Sequence, residues 1–222
     1  MKKAITVILV VILALGLGYF LFSLSPHDQN NGSNGLSDTE TQNISEPRPI
    51  GAGDYVLGNS DAKNTMIIYE DFECPACASF APIAEQIPAS LQDTKLVFRH
   101  FPLPYHTNGL AAALAAEAAG AQGKFWEMYH VLYSEQDQWV NLSGVALTDK
   151  FAQIAQQAGV PDIEKFRTDM KNQDGKDKIQ ADYSEAMGLK VGGTPTLYFN
   201  GKPLQLGNMD SIKNQVEPLY IK

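Results

Sequence analysis

Cysteine is nearly absent: the 222 residues contain two, Cys74 and Cys77. That scarcity excludes a four-cysteine zinc site within one chain, and a lipoprotein anchor through an early cysteine. Positive charge is scarce as well. Seventeen Lys and Arg face twenty-five Asp and Glu, for a net charge of −8 and a pI near 4.9, which leaves no basic patch to neutralise phosphates and argues against nucleic acid. No phosphate-cradling glycine-rich loop and no HExxH stretch occurs anywhere, so the phosphate-loop and zinc-protease signatures are missing too.

What is present begins with Met1-Lys2-Lys3 and an uncharged, mostly apolar run from Ala4 to Leu24. That run is long enough to span a hydrocarbon core of about 30 Å as a helix. The next basic residue is Arg48, so the charge bias keeps the lysines in the cytoplasm and sends the rest of the chain outward. A cleaved signal peptide is the competing reading. Its apolar region would be shorter, about 7–15 residues, and Pro26 makes a poor neighbour for a cleavage site. An uncleaved, single-pass anchor over 1–24 is therefore expected, with an extracytoplasmic domain in a compartment that tolerates disulfides. Residues 25–53, rich in Asn, Gly, Ser, Asp and Gln, read as a flexible linker.

The chemistry is concentrated where an apolar strand, Met66-Ile67-Ile68-Tyr69, runs into Asp71-Phe72-Glu73-Cys74-Pro75-Ala76-Cys77. Two thiols at this spacing fit one turn at the start of a helix and can close a disulfide. Unpaired amides at a helix N-terminus favour a thiolate on the first cysteine, and Pro75 fits the first turn, where no N–H is needed. Strand, C-x-x-C and helix in that order point to redox chemistry. Two plainer readings stay open: a metal site completed by His100, His106 or His130, and a structural disulfide, whose loop would be too small to stabilise much.

Along the rest of the chain, Asp54–Gly58 reads as a first strand and Lys95–Phe101 as another. The helix after Cys74 carries Pro82, which is expected to kink it. From about 107 to 189 the periodicity turns helical, with Thr148 a plausible N-cap, Pro161 opening a further helix and Ile179, Tyr183 and Met187 forming one stripe. Strand-like sequence resumes at Val191, with an Asn200-Gly201 hairpin turn and an edge strand containing Pro203. A final helix carries Ile212, Val216 and Leu219. The pattern is an α/β fold interrupted by a helical block and then completed.

Four stretches in order carry a resemblance: the motif itself, Phe98-Arg99-His100-Phe101-Pro102-Leu103, Gly123-Lys124-Phe125-Trp126-Glu127-Met128, and Gly193-Thr194-Pro195-Thr196. Over about residues 54–222 the chain resembles the DsbA-type thiol:disulfide oxidoreductases of the thioredoxin superfamily. The resemblance implies a thioredoxin fold with an inserted helical subdomain, over about 107–189, and no cofactor. It implies Cys74 as the exposed nucleophile and Cys77 as the buried resolving thiol, supported by Pro75, Ala76, Thr194 and a cis Pro195. It also implies reduced or unfolded exported proteins as substrates, and a quinone-linked membrane reoxidase of the DsbB or vitamin-K-epoxide-reductase kind. Many relatives place a buried acid six residues before the first cysteine; here that position is Ile68. Glu70, two residues on and so on the same strand face, can take the part through water, or be a solvated strand-end residue. A reductase or isomerase of the same fold, or a metal-binding or chaperone module, remains the alternative function.

Overall fold

The computed structural model describes residues 45–221; the membrane helix expected over 1–24 and the linker as far as residue 44 lie outside them. Among the described residues no helix is long and apolar enough to cross a membrane.

The described residues form a five-stranded sheet whose centre is β2 (Asn64–Glu70), in the order β1-β3-β2-β4-β5. Its other strands are β1 (Tyr55–Leu57), β3 (Thr94–His100), β4 (Thr196–Phe199) and β5 (Lys202–Leu204). β2 and β3 run parallel, which requires the crossover made by α1 (Pro75–Ser90); the other pairings are antiparallel. Between β3 and β4 stands the helical block: α2 (Gly109–Gly120), α3 (Phe125–Ser134), α4 (Gln136–Trp139), α5 (Gly144–Gln157), α6 (Ile163–Asp169) and α7 (Gln173–Gly188). α8 (Met209–Val216) closes the domain. The β4–β5 turn places Asn200 and Gly201 at φ +47° and +79°, the left-handed pair a two-residue hairpin demands, and β5 with Pro203 is an edge strand as expected.

Strand alternation splits the interior into two cores. Met66 and Ile68 join the larger one, with Phe80 and Ala84 of α1, Tyr129 of α3 and Phe151 of α5. Ile67 and Tyr69 point into the smaller one, against Ala186 of α7 and Val191. The same period of two puts Glu70 on the larger-core face with Ile68, and it is 1% exposed.

Several sequence expectations need correcting. Thr148 is not an N-cap: α5 begins at Gly144 behind Ser143, and the Thr148 hydroxyl donates to the Val145 carbonyl instead. Pro161 stands before α6 rather than in it, and the cap is Asp162, whose carboxylate accepts from the Lys165 amide. Met187 leaves the buried stripe and is 54% exposed. Pro82, by contrast, lies inside α1 where the sequence puts it, and the helix runs on through Pro88 to Ser90.

The residues just before β1 are tied to the domain. Arg48 bonds Asp182 at 2.6 Å and also pairs with Glu185. Arg99, fully buried in β3, reaches Asp54 at 3.1 Å and Glu185 at 2.6 Å, and donates to the Arg48 carbonyl at 2.9 Å. Lys178 also pairs with Asp182. Three cations and three carboxylates thus meet under α7 and fix where the chain enters the fold.

Candidate active site

β2 ends at Glu70, and four residues later Cys74 stands as N-cap of α1 with Pro75 at its first position. The connecting turn is held from several sides. Asp71 is buried; its Oδ1 accepts from the Glu73 amide, and its Oδ2 accepts from the Leu103 amide and pairs with His106 Nδ1, both at 2.7 Å. A Cβ on Gly109 would stand 2.6 Å from Asp71 Oδ1, so glycine there leaves room for the carboxylate. The Glu73 carboxylate accepts from the Asn108 amide, and the Asn108 side chain donates to the Val140 and Leu142 carbonyls. From α4, Gln136 Nε2 donates to the Phe72 carbonyl at 2.7 Å and the Cys74 carbonyl at 3.1 Å. The helical block therefore grips the backbone on both sides of Glu73.

Both cysteines are reduced and buried. Cys74 is not the openly exposed sulfur the resemblance implied: the residue is 7% accessible, against 0% for Cys77. Their electrostatics nevertheless differ sharply. The Cys77 thiol, the Thr194 side chain and the amides of Cys77 and Ala76 all favour a Cys74 thiolate over the opposing effect of burial, and lower its pKa from 9.0 to about 5. Cys77 is pushed far upward, first by burial and then by Cys74 and Glu70. The Thr194–Pro195 peptide, expected to be cis, is cis, and Cys74 Sγ lies 3.4 Å from the Thr194 carbonyl oxygen. The loop before β4 thus meets the motif across 120 residues of sequence.

Glu70 is the buried acid of this site, one strand period beyond Ile68, which is itself sealed in the larger core. Burial raises the Glu70 carboxyl from 4.5 to about 8 against the opposing pull of the Tyr129 hydroxyl, and Cys74 adds to the rise. Neither carboxylate oxygen closes a hydrogen bond. Neither His100 nor His106 pairs with a sulfur: His100 Nε2 pairs with Glu117 at 2.7 Å, and His106 braces the turn through Asp71. Among the described residues no group of three or more His, Cys, Asp or Glu is placed to hold a metal ion. Sequence reasoning missed Gln136, Asn108 and Tyr129, none of which carries a motif. The one available signal was a pair of tyrosines, Tyr129 and Tyr133, four apart on a face otherwise apolar.

A family model described as thioredoxin matches residues 52–217. The chain belongs to the thioredoxin family. Among solved structures, members with this architecture include a thioredoxin-like oxidoreductase from Silicibacter pomeroyi, 24% identical with a TM-score of 0.64 over 76% of this chain and 93% of that one. BdbD from Bacillus subtilis is 22% identical with a TM-score of 0.66, over 78% and 96%, and alpha-DsbA1 from Wolbachia pipientis is 23% identical with 0.63, over 78% and 92%. At these identities the likeness is one of fold alone: a thioredoxin sheet with a helical block between β3 and β4. Curated relatives are named Na(+)/H(+) antiporter NhaA. That from Mycolicibacterium gilvum is 35% identical over 90% of this chain and 31% of its own length, and that from Herminiimonas arsenicoxydans 26% identical over 95% and 31%. The thioredoxin-family chain spans about a third of the length of these relatives.

Proposed function

We propose that the protein is an exported thiol:disulfide oxidoreductase that introduces disulfides into reduced proteins, with Cys74 as nucleophile and Cys77 as resolving thiol. The observation that carries this reading is the asymmetry of the two sulfurs. One is stabilised as thiolate at the start of α1 with a pKa of about 5; the other is fully buried and pushed far upward. A substrate thiolate attacks Cys74 Sγ, the internal disulfide breaks, and the electron pair goes to Cys77 Sγ. A second substrate thiolate then attacks the substrate sulfur of the mixed disulfide and releases Cys74 as thiolate. The Thr194 carbonyl lies 3.4 Å from the Cys74 sulfur, just before cis Pro195, where an extended substrate segment can pair with the loop backbone, and Pro75 and Ala76 shape the first turn.

Glu70 exchanges the proton of Cys77, giving it when Cys77 leaves the disulfide and taking it back on reoxidation. A carboxyl with a pKa of about 8 holds and releases a proton near neutral pH, which is what such a relay requires. Reoxidation falls to a quinone-linked membrane partner of the DsbB or vitamin-K-epoxide-reductase kind. Residues 1–24 anchor the domain, 25–53 connect it, the end of that stretch docking on the domain through Arg48, and 54–222 carry the chemistry on the outer side of the membrane. The region shared with the antiporters is read as this redox module, not as an ion-transport one, because the thioredoxin match covers residues 52–217.

Direction follows from how far the thiolate stabilises the reduced form. At pH 7 a sulfur that ionises near 5 is stabilised by two pH units, about 2.7 kcal/mol, which raises the two-electron potential by about 60 mV. Asp71 and Glu73 oppose this less than their sequence positions suggest, since backbone amides tie both carboxylates down. Equilibration with glutathione measures the outcome. A potential clearly above the roughly −270 mV of cytosolic thioredoxin is expected; a value at or below it makes the protein a reductase.

A further inference from the structure

Five polar atoms of the larger core are buried without a hydrogen-bond partner: both carboxylate oxygens of Glu70, the hydroxyls of Tyr129 and Tyr133, and the indole nitrogen of Trp126. Folded proteins leave few such groups, and each costs about 1–3 kcal/mol when nothing satisfies it. These five are not scattered. Trp126, Tyr129 and Tyr133 occupy one face of α3 at positions i, i+3 and i+7. The Tyr129 and Tyr133 rings meet edge-on at 4.8 Å, and Trp126 lies 5.2 Å from Tyr129. Tyr129 and Tyr133 are also among the groups acting most strongly on the Glu70 carboxyl, together with Cys74 and Glu85.

At the other end of the series the core opens. Trp126 lines a cavity of about 460 Å³ together with Glu85 of α1, His130 of α3 and Leu57, Val131 and Ala158. Glu85 and His130 pair at 3.0 Å, and their side chains are 30% and 64% exposed. Glu70 is in turn among the groups that act on the Cys77 thiol, so the orphaned groups connect to the resolving cysteine at one end and, through Trp126, to the cavity at the other.

We propose that Glu70, Tyr133, Tyr129 and Trp126 line a water-bridged proton conduit between Cys77 and the cavity at Glu85 and His130. Bridging water satisfies orphaned groups of this kind nearly as well as direct bonds do. In the substrate half-reaction, Cys77 Sγ leaves the disulfide with the electron pair and takes a proton from Glu70, which is refilled from solvent through the tyrosine hydroxyls. In reoxidation, Cys77 gives its proton to Glu70 and attacks Cys74 Sγ in the mixed disulfide. The partner's thiolate leaves, and the proton travels outward. The conduit lets a sealed thiol exchange protons without opening the motif to water.

The inference rests on Glu70 serving Cys77, so the test separates the two. The reduced full-length protein is mixed with oxidised glutathione, whose disulfide is the electron acceptor. Release of the first and second glutathione is then followed by rapid mixing, in H2O and D2O. Tyr129→Phe combined with Tyr133→Phe removes two hydroxyls and little else. The expected result is an unchanged first step, a second step slowed about tenfold or more, and an altered solvent isotope effect on that step. Glu85→Gln should slow the same step by about threefold at low buffer concentration. A normal second step in the tyrosine variant, with Glu70→Gln slow, overturns the conduit and leaves Glu70 as the acid. A normal second step in both removes Glu70 and the conduit together. A normal rate in Glu85→Gln with the tyrosine effect intact overturns the proposed exit.

Discussion

Replacing Cys77 with alanine removes the group that does most to stabilise the Cys74 thiolate. In the intact motif Cys74 ionises near pH 5 rather than 9.0, a gap of about four units and hence about 5 kcal/mol in favour of the thiolate. The gap is what remains after the Cys77 thiol, Thr194 and the amides of Cys77 and Ala76 have overcome burial. Four groups that sustain a net four units against an opposing effect average at least about one unit each. Losing the largest raises the midpoint by one unit or more, about 1.4 kcal/mol. A midpoint moving from about 5 to about 6 takes the thiolate at pH 5.5 from about three quarters of molecules to about one quarter. Alkylation by iodoacetamide at that pH should slow roughly threefold. Since Cys74 is then the only thiol in the chain, labelling rate and thiolate absorbance against pH both report it alone. A midpoint that stays near 5 in Cys77→Ala refutes the assignment to the neighbouring thiol and leaves the helix amides as the cause. A midpoint near 9 in the unaltered protein refutes the thiolate site altogether.

Glu70→Gln should change how stability depends on pH. The folded protein holds the Glu70 proton until about pH 8 while the unfolded chain releases it near 4.5, so this group's contribution to stability falls as pH rises across that window. Urea unfolding of the reduced proteins should show the variant gaining on the parent with pH, by about 4 kcal/mol at pH 8 relative to pH 4; a constant difference refutes the buried carboxyl. Arg99→Ala should cost about 3–5 kcal/mol, because it strips Asp54 and Glu185 of a buried cation; a loss below about 1 kcal/mol in the same assay would show that Arg48 and Lys178 alone neutralise them.

The elements set by local rules were legible from the chain alone. β2 is a continuous apolar run and lies at the sheet centre; Asn200-Gly201 makes the hairpin; and the stretch of helical periodicity after residue 107 is helical. Errors arose where local signals competed. Thr148 and Ser143 are both good cap residues, and the left-handed Gly144, at φ +57°, starts the helix at the earlier one. Met187 keeps the helical spacing of Ile179 and Tyr183, yet packing around α7 leaves it outside. Contacts between distant residues had no local signal at all. Arg48 and Glu185 are 137 positions apart, and Gln136 and Cys74 62 apart, so neither the ion cluster nor the brace on the motif could be read from spacing. Glu70 was half legible: its strand face followed from the period of two, but its burial depended on α3.

The grip of Gln136 on Phe72 and Cys74 makes the six-helix block part of the redox loop rather than an ornament on a thioredoxin core. Trimming the chain to sheet, α1 and α8, as one would to obtain a minimal redox domain, would strand two carbonyls beside the sulfur and leave the Glu73 carboxylate without its Asn108 amide. Such a miniature would keep its cysteines and lose the frame that orients them. The block and the motif can vary only together.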